Sequence, residues 1–192
     1  MVSTSDQTSY LKYPCIVGNV LSAIIPEQAA VWSYPVRKLI EPGVAEADFK
    51  DAVITDNDVV INMVNIFLGR IHLASDLRKL TEKQLSLVTE GVEVYNSLSE
   101  MKKTALPYFP MGLTRFGKEK IAAGLKDDKT IYLAVWTLGG DKSVDVEIKE
   151  GIEKAEMVYP YENNAEFKAE GSTLKINFNM APSAALFKVT TK

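Results

Sequence analysis

The residue types best suited to chemistry gather at the start of the chain, in Ser3-Thr4-Ser5-Asp6-Gln7-Thr8-Ser9-Tyr10. Asp6 is a carboxyl group among hydroxyl and amide side chains. A carboxyl with a raised pKa, held within reach of a leaving-group oxygen, acts as a general acid. The same residues equally suit an Asx-turn in a Ser/Thr-rich loop, where the aspartate only bonds its own backbone. Trp32 and Tyr34 lie in a proline-bounded stretch from Ile25 to Pro35. They either form a platform for the apolar face of a sugar or wedge a loop against the core. His72 lies among apolar residues and reads as a satisfied interior histidine, with no second His to build a metal set. Asp76, Arg78 and Lys79 read as a charge group at a helix end, and Trp136 as packing in a core strand.

Several other chemistries lack their patterns. There is no P-loop, no glycine-rich dinucleotide turn after a strand, and no nucleophile elbow. Gly139-Gly140-Asp141 reads as a hairpin turn between strands and not as a phosphate cradle. The net charge is -3 and Lys and Arg form only short pairs, such as Arg78-Lys79 and Lys102-Lys103. No basic stripe tracks a nucleic-acid backbone, so no nucleic-acid partner is expected. Cys15 is the single cysteine, so an internal disulfide is excluded. This suits a reducing compartment, and a cytoplasmic location is the expectation. The start of the chain lacks a basic segment followed by an apolar run. The longest apolar stretch, Val59 to Leu77, is broken by Asn62, Asn65, Arg70, His72 and Asp76, so no membrane span is expected. A hydrophobic share of 46% with 24% charged residues is that of an ordinary globular domain.

The elements that must position these residues fall into two patterns. Ile16-Val17 and Val20 to Ile25 are short apolar runs bounded by Pro14, Gly18 and Pro26, which fits buried parallel strands or their connections. Ile25 to Pro35 reads as a loop. Asp58 can cap a long, well-buried helix running to about Leu80. Thr81-Glu82-Lys83-Gln84 has the form of a capping box and opens a second helix ending near Met101. The prolines of Leu106 to Gly112 then deny helix, and a domain boundary follows. Beyond it the period is two. Thr130 to Thr137 is a fully apolar strand. Val144, Val146 and Ile148 alternate with Asp145, Glu147 and Lys149. Ala155 to Tyr159, Glu166 to Ala169, Leu174 to Phe178 and Ala184 to Thr190 are further strands, with turns at Asn163-Asn164 and Glu170-Gly171-Ser172. Short strands joined by close turns imply a small antiparallel sandwich. The first half has too few strands to close a sheet alone, so the chain is expected to be the end of a longer polypeptide.

A series of segments occurs in a telling order. It runs Thr4-Ser5-Asp6-Gln7-Thr8, Ile25 to Trp32, Phe67 to Leu77, Glu90-Gly91-Val92 with Tyr95, Leu106-Pro107 with Phe109-Pro110 and Gly112, then Tyr132 to Trp136. This series resembles the C-terminal part of glycoside hydrolase family 36, the alpha-galactosidases of melibiase type. The resemblance implies α/β plus all-β architecture: residues 1–112 as the end of an incomplete (β/α)8 TIM barrel, and residues 113–192 as a C-terminal antiparallel β-sandwich. It implies retaining hydrolysis of terminal α-galactosides, with a galactoside oligosaccharide as substrate and no cofactor or metal. It places the family's acid/base aspartate at Asp6 of Ser5-Asp6-Gln7-Thr8, and a parent enzyme that forms homo-oligomers is compatible with it. Two departures stand out. No residue here matches the family's nucleophile, so the chain alone is expected to be inactive. Pro26 to Ser33 also differs from the family's Pro-Pro, Met-Gly and His pattern, so only Trp32 is carried as a substrate-binding residue. The changed loop leaves α-N-acetylgalactosaminide as another substrate. A transglycosidase on the same frame, or a non-catalytic structural or carbohydrate-associated module, are the alternatives.

Overall fold

The computed structural model describes residues 2–3, 13–36, 53–162 and 164–192, the first two as backbone only. Asp6 and Asn163 therefore lie outside the described residues.

The first half is a parallel α/β unit. Strands β1 (Val2–Ser3), β2 (Ala29–Ser33) and β3 (Arg70–Leu73) pair in parallel in the order β1-β2-β3. Helix α1 (Tyr13–Ala23) lies between β1 and β2 in the chain, and α2 (Asp56–Val64) between β2 and β3. α3 (Glu82–Ser97) follows β3.

Three sequence expectations are corrected here. Tyr13–Ala23 is a helix and not strands. Tyr13, Val17 and Leu21 recur every four residues and are buried. Pro14 is tolerated because it stands in the first turn, where its missing N–H has no partner to lose. Gly18 is tolerated because the side chain of Thr114 fills the place where its Cβ would stand. Second, Ala29–Ser33 is a strand and not a loop. Third, the long helix from Asp58 to Leu80 is a short helix, a turn and a strand. Thr55, not Asp58, is the N-cap, and Asp58 completes its capping box from three residues on. Every residue from Asp58 to Val64 is buried, so no amphipathic period marks where the helix stops. It stops because the chain must swing into β3. Gly69 permits that swing: a Cβ there would stand 2.6 Å from the Ala29 carbonyl oxygen.

The second helix forms as its capping box predicts. Gln84 N–H donates to Thr81 Oγ1 at 3.2 Å, and Thr81 N–H donates to Gln84 Oε1 at 3.1 Å. Gln84 Nε2 also donates to Ile54 O at 2.8 Å, tying α3 to the entry of α2.

The second half is two antiparallel sheets. Strands β4 (Leu106–Tyr108), β5 (Lys120–Asp127), β6 (Thr130–Thr137), β8 (Ile152–Tyr159) and β11 (Ser183–Thr191) form a five-stranded sheet in the order β4-β5-β6-β11-β8. Strands β7 (Ser143–Glu147), β9 (Ala165–Glu170) and β10 (Thr173–Phe178) form a three-stranded sheet in the order β7-β10-β9. Pro107 is accommodated because β4 is an edge strand. Gly139-Gly140-Asp141 is not a hairpin, since β6 and β7 belong to different sheets. β5 has no counterpart in the sequence reading. Its Ala122-Ala123-Gly124 run has low strand propensity, yet at Gly124 a Cβ would stand 2.6 Å from Tyr132 O of β6.

The five-stranded sheet is covered on both faces. One face, with Ile131, Leu133, Val135 and Phe187, encloses a core against Val144, Val146, Leu174 and Ile176 of the smaller sheet. The other, with Trp136, Leu186 and Tyr159, joins a core built by α1, α2 and α3 through Leu21, Met63 and Val88. That is why β6 is apolar at nearly every position while β7 alternates.

Candidate functional site

Trp32 and His72 are direct register partners of β2 and β3, so both side chains share one face of the parallel sheet. Their rings stack with centroids 4.8 Å apart and planes inclined by 23°. Tyr34 lies two residues on, its ring centroid 6.4 Å from that of Trp32 and its plane within 13°. Trp32 and His72 are half-buried, and Tyr34 is buried. Two tyrosines pin the strands beneath. The Trp32 N–H donates to Tyr13 Oη of α1 at 2.6 Å, and the Ile71 N–H donates to Tyr95 Oη of α3 at 3.3 Å.

The ends of these strands carry an unusual hydrogen-bond deficit. Among the described residues, Ser33 Oγ, His72 Nε2 and Ser75 Oγ are buried side-chain atoms with no hydrogen-bond partner. All three stand at or just beyond the C-terminal ends of β2 and β3, whose ladder closes where Ala74 N–H donates to Ser33 O at 3.0 Å. Buried polar groups in folded proteins are nearly always paired. Parallel α/β units also bind their ligands outside the carboxyl ends of their strands. Both facts mark this end of the sheet. The backbone of β1 enters the same sheet, with Ser3 paired to Ala30, and Asp6 follows Ser3 by three residues outside the described residues.

The opposite end of β3 is sealed. Lys102 Nζ donates to Gly69 O at 3.0 Å and lies 3.5 Å from the Tyr95 ring centroid. Burial pushes the Lys102 pKa down to about 7. A groove of about 260 Å³ at the junction with the sandwich is lined by Asp56, Asn57, Lys83, Glu162 and Asn164 among others. These groups serve the fold. Lys83 pairs with Asp56 and Glu162, while Asn57 and Asn164 bond Ser183 and the carbonyls of Pro182 and Ala184. Among the described residues no three His, Cys, Asp or Glu side chains gather as a metal site would require, and no helix is long and apolar enough to cross a membrane.

The sequence-predicted residues are thus distributed as follows. Trp32 stands on a strand and not in a loop. His72 is on a strand and not in a helix, and its Nε2 is not satisfied. Asp76 caps the short turn Leu77–Lys79 and holds Arg78 through two hydrogen bonds, at a helix start and not its end. Trp136 is fully buried. His72 is the residue that sequence reasoning missed at this site. Its only signal was the register Trp32↔His72, which becomes visible once β2 and β3 are known to pair in parallel.

No family model matches the sequence, and no curated protein matches it. Solved structures that match the chain in fold include glycoside hydrolases. The GH36 alpha-galactosidase AgaA from Geobacillus stearothermophilus matches with a TM-score of 0.68 at 10% identity, over 98% of this chain and 25% of its own. The galactosidase domain of the alpha-galactosidase-sucrose kinase AgaSK matches with a TM-score of 0.64 at 12% identity, over the same shares. An Anoxybacillus alpha-amylase matches with a TM-score of 0.50 at 7% identity, over 94% of this chain and 46% of its own. The resemblance read in the sequence segments is therefore found again as a likeness of fold. The chain spans about a quarter of the length of these alpha-galactosidases, consistent with a C-terminal portion of such a chain.

Proposed function

We propose that this chain is the C-terminal portion of a retaining glycoside hydrolase acting on terminal α-galactosides. Its parallel unit is the end of a (β/α)8 barrel, and its two antiparallel sheets are the domain that braces that barrel. The observation that carries the reading is the fold likeness to GH36 alpha-galactosidases over 98% of the chain. The order of strands and helices supports it, since β1, β2 and β3 run in parallel with α1 and α2 between them.

In this reading Asp6, three residues beyond the end of β1, is the general acid that protonates the departing oxygen and then activates water. Retention requires a second carboxylate about 5–5.5 Å away to form the glycosyl intermediate. No segment of this chain resembles the family's nucleophile, so that group belongs to the remainder of the enzyme, and the chain alone does not turn over substrate. The two-carboxylate mechanism needs neither metal nor redox cofactor.

The test is hydrolysis of an aryl α-galactoside. The purified 192-residue chain shows none, and the chain joined to the polypeptide encoded upstream is active. Asp6→Asn in the joined protein lowers the rate by about 10²- to 10⁴-fold, as loss of a general acid does. Hydrolysis by the isolated chain that is abolished by Asp6→Asn would overturn the division of the site. A joined protein indifferent to Asp6→Asn would overturn the acid/base assignment.

A further inference from the structure

We propose that Leu113 and Phe116, in the loop between β4 and β5, form a docking knob for an amphipathic helix that precedes β1 in the parent polypeptide. This rests on the reading above that the chain is the C-terminal portion of a longer enzyme, and not on which sugar that enzyme cleaves.

The order of the layers locates the surface. α1 packs on β5, α2 on β11 and α3 on β8, and the sheet beneath them runs β4-β5-β6-β11-β8. The helices therefore cross that sheet in chain order, with α1 nearest its β4 edge. In the parallel sheet β1 is the edge strand on the α1 side among the described residues. Parallel strands joined by helices take right-handed crossovers. A strand and a helix added ahead of β1 thus continue the series, the strand beside β1 and the helix beside α1, at the β4 edge.

Large apolar side chains are exposed at that edge. Leu106 on β4 is 72% exposed, Leu113 51% and Phe116 64%. The loop carrying the last two is fastened to α1. Thr114, which stands between them, is 3% exposed. Its hydroxyl donates to Cys15 O at 2.9 Å, and its side chain fills the notch at Gly18. Gly112 and Gly117 turn the chain with φ of +76° and +88°, and Lys118 Nζ donates to Met111 O at 3.1 Å. Two apolar side chains held outward on a loop ordered beforehand make an interface anchor, because little conformational freedom is left to lose on docking. A further strand is a poor occupant, since Pro107 takes a backbone donor out of β4. A helix needs only side-chain contacts. Arg115 is exposed in the same loop and favours acidic residues beside the apolar stripe of that helix. A helix of ordinary length joined to β1 by a short loop lies within about 25 residues before Met1, which fixes the segment that must dock.

Photocrosslinking of the chain joined to its upstream polypeptide tests this. With p-benzoylphenylalanine in place of Phe116, the expected crosslink forms within one polypeptide, to a peptide lying within about 25 residues before Met1. A second measurement does not depend on the crosslink. In the joined protein Phe116→Cys is expected to react with a maleimide at least about tenfold more slowly than Lys168→Cys, because a covered thiol is shielded from reagent. The Lys168 side chain is 75% exposed on β9, and in the chain without its upstream part the two thiols are expected to react alike. A crosslink between two copies, seen as a dimer on a denaturing gel, overturns the proposal. So does a crosslink to a segment farther upstream, or equal reactivity of the two thiols in the joined protein. The substrate reading fails separately. A joined protein that cleaves no α-galactoside, yet gives the expected crosslink and a shielded thiol, supports the docking surface and counts against the α-galactoside reading alone. A gene with no coding sequence ahead of Met1 overturns both.

Discussion

Trp136 Nε1 donates a 2.9 Å hydrogen bond to Asn65 Oδ1, and both residues are buried, Trp136 completely. The bond joins the five-stranded sheet to the turn after α2, so the only polar group on the largest side chain of the joint is satisfied across it.

Removing the acceptor therefore strands a buried donor. Asn65→Leu is expected to destabilise the chain by about 1–3 kcal/mol, the cost of leaving such a group without a partner. Urea denaturation followed by circular dichroism measures it. An unchanged midpoint would mean that Trp136 finds another acceptor.

A second joint is steric. A Cβ on Gly18 would stand 2.5 Å from both Cγ2 and Oγ1 of Thr114, whose hydroxyl donates to Cys15 O at 2.9 Å. Gly18→Ala should cost about 1–3 kcal/mol through overpacking. Adding Thr114→Ala should recover part of that loss, so the double mutant is more stable than the sum of single effects predicts. Gly140→Ala, where a Cβ meets nothing within 4 Å, is the neutral control.

Lys102 makes stability depend on pH in a defined direction. Burial lowers its pKa in the folded chain from 10.5 to about 7. Between those values the unfolded chain holds a proton that the folded chain has released, so unfolding takes up a proton and stability rises with pH. The gain is complete above the unfolded pKa and is lost as pH falls toward 7. The slope from this group is about 1.4 kcal/mol per pH unit within that window. Lys102→Met should remove this contribution, so the variant is the more stable protein at pH 6 and its advantage shrinks toward pH 10. A stability difference that stays flat with pH would show that Lys102 titrates normally.

The two indoles should differ in access to solvent. Trp136 is sealed between layers, whereas Trp32 is only partly buried. Acrylamide should quench Trp32 preferentially, and Trp32→Phe should leave a fluorophore that acrylamide barely reaches. Equal quenching of both would mean that the end of the parallel sheet is covered in solution.

Much of the second half was legible because its period is local. Val144 and Val146 are buried while Asp145 and Glu147 face out, as a strand with one wet face demands. Thr81 and Gln84 announced α3 through a pair of bonds made within four residues. The parallel unit was less legible because its helix α2 is buried at every position from Asp58 to Val64. Asp58 to Val64 have no exposed face to set off a helical period, and Gly69 looks like any glycine until the Ala29 carbonyl is beside it. β5 was hidden for a related reason, since its alanines and glycine fit a strand only under the backbone of β6.

The sequence alone determined the change from a helical to an alternating period, the cap of α3, the apolar β6 and the order of segments that resembles GH36. Those signals need only neighbours a few residues away, or a likeness that survives in motif order. The tertiary structure alone decided that residues 29–33 and 70–73 are parallel strands, and hence that Trp32 and His72 meet. Forty residues separate them in the chain, and nothing in either side chain specifies the other. Backbone hydrogen bonding set the register, and the register made a ring stack at the end of the sheet where unpartnered polar atoms collect.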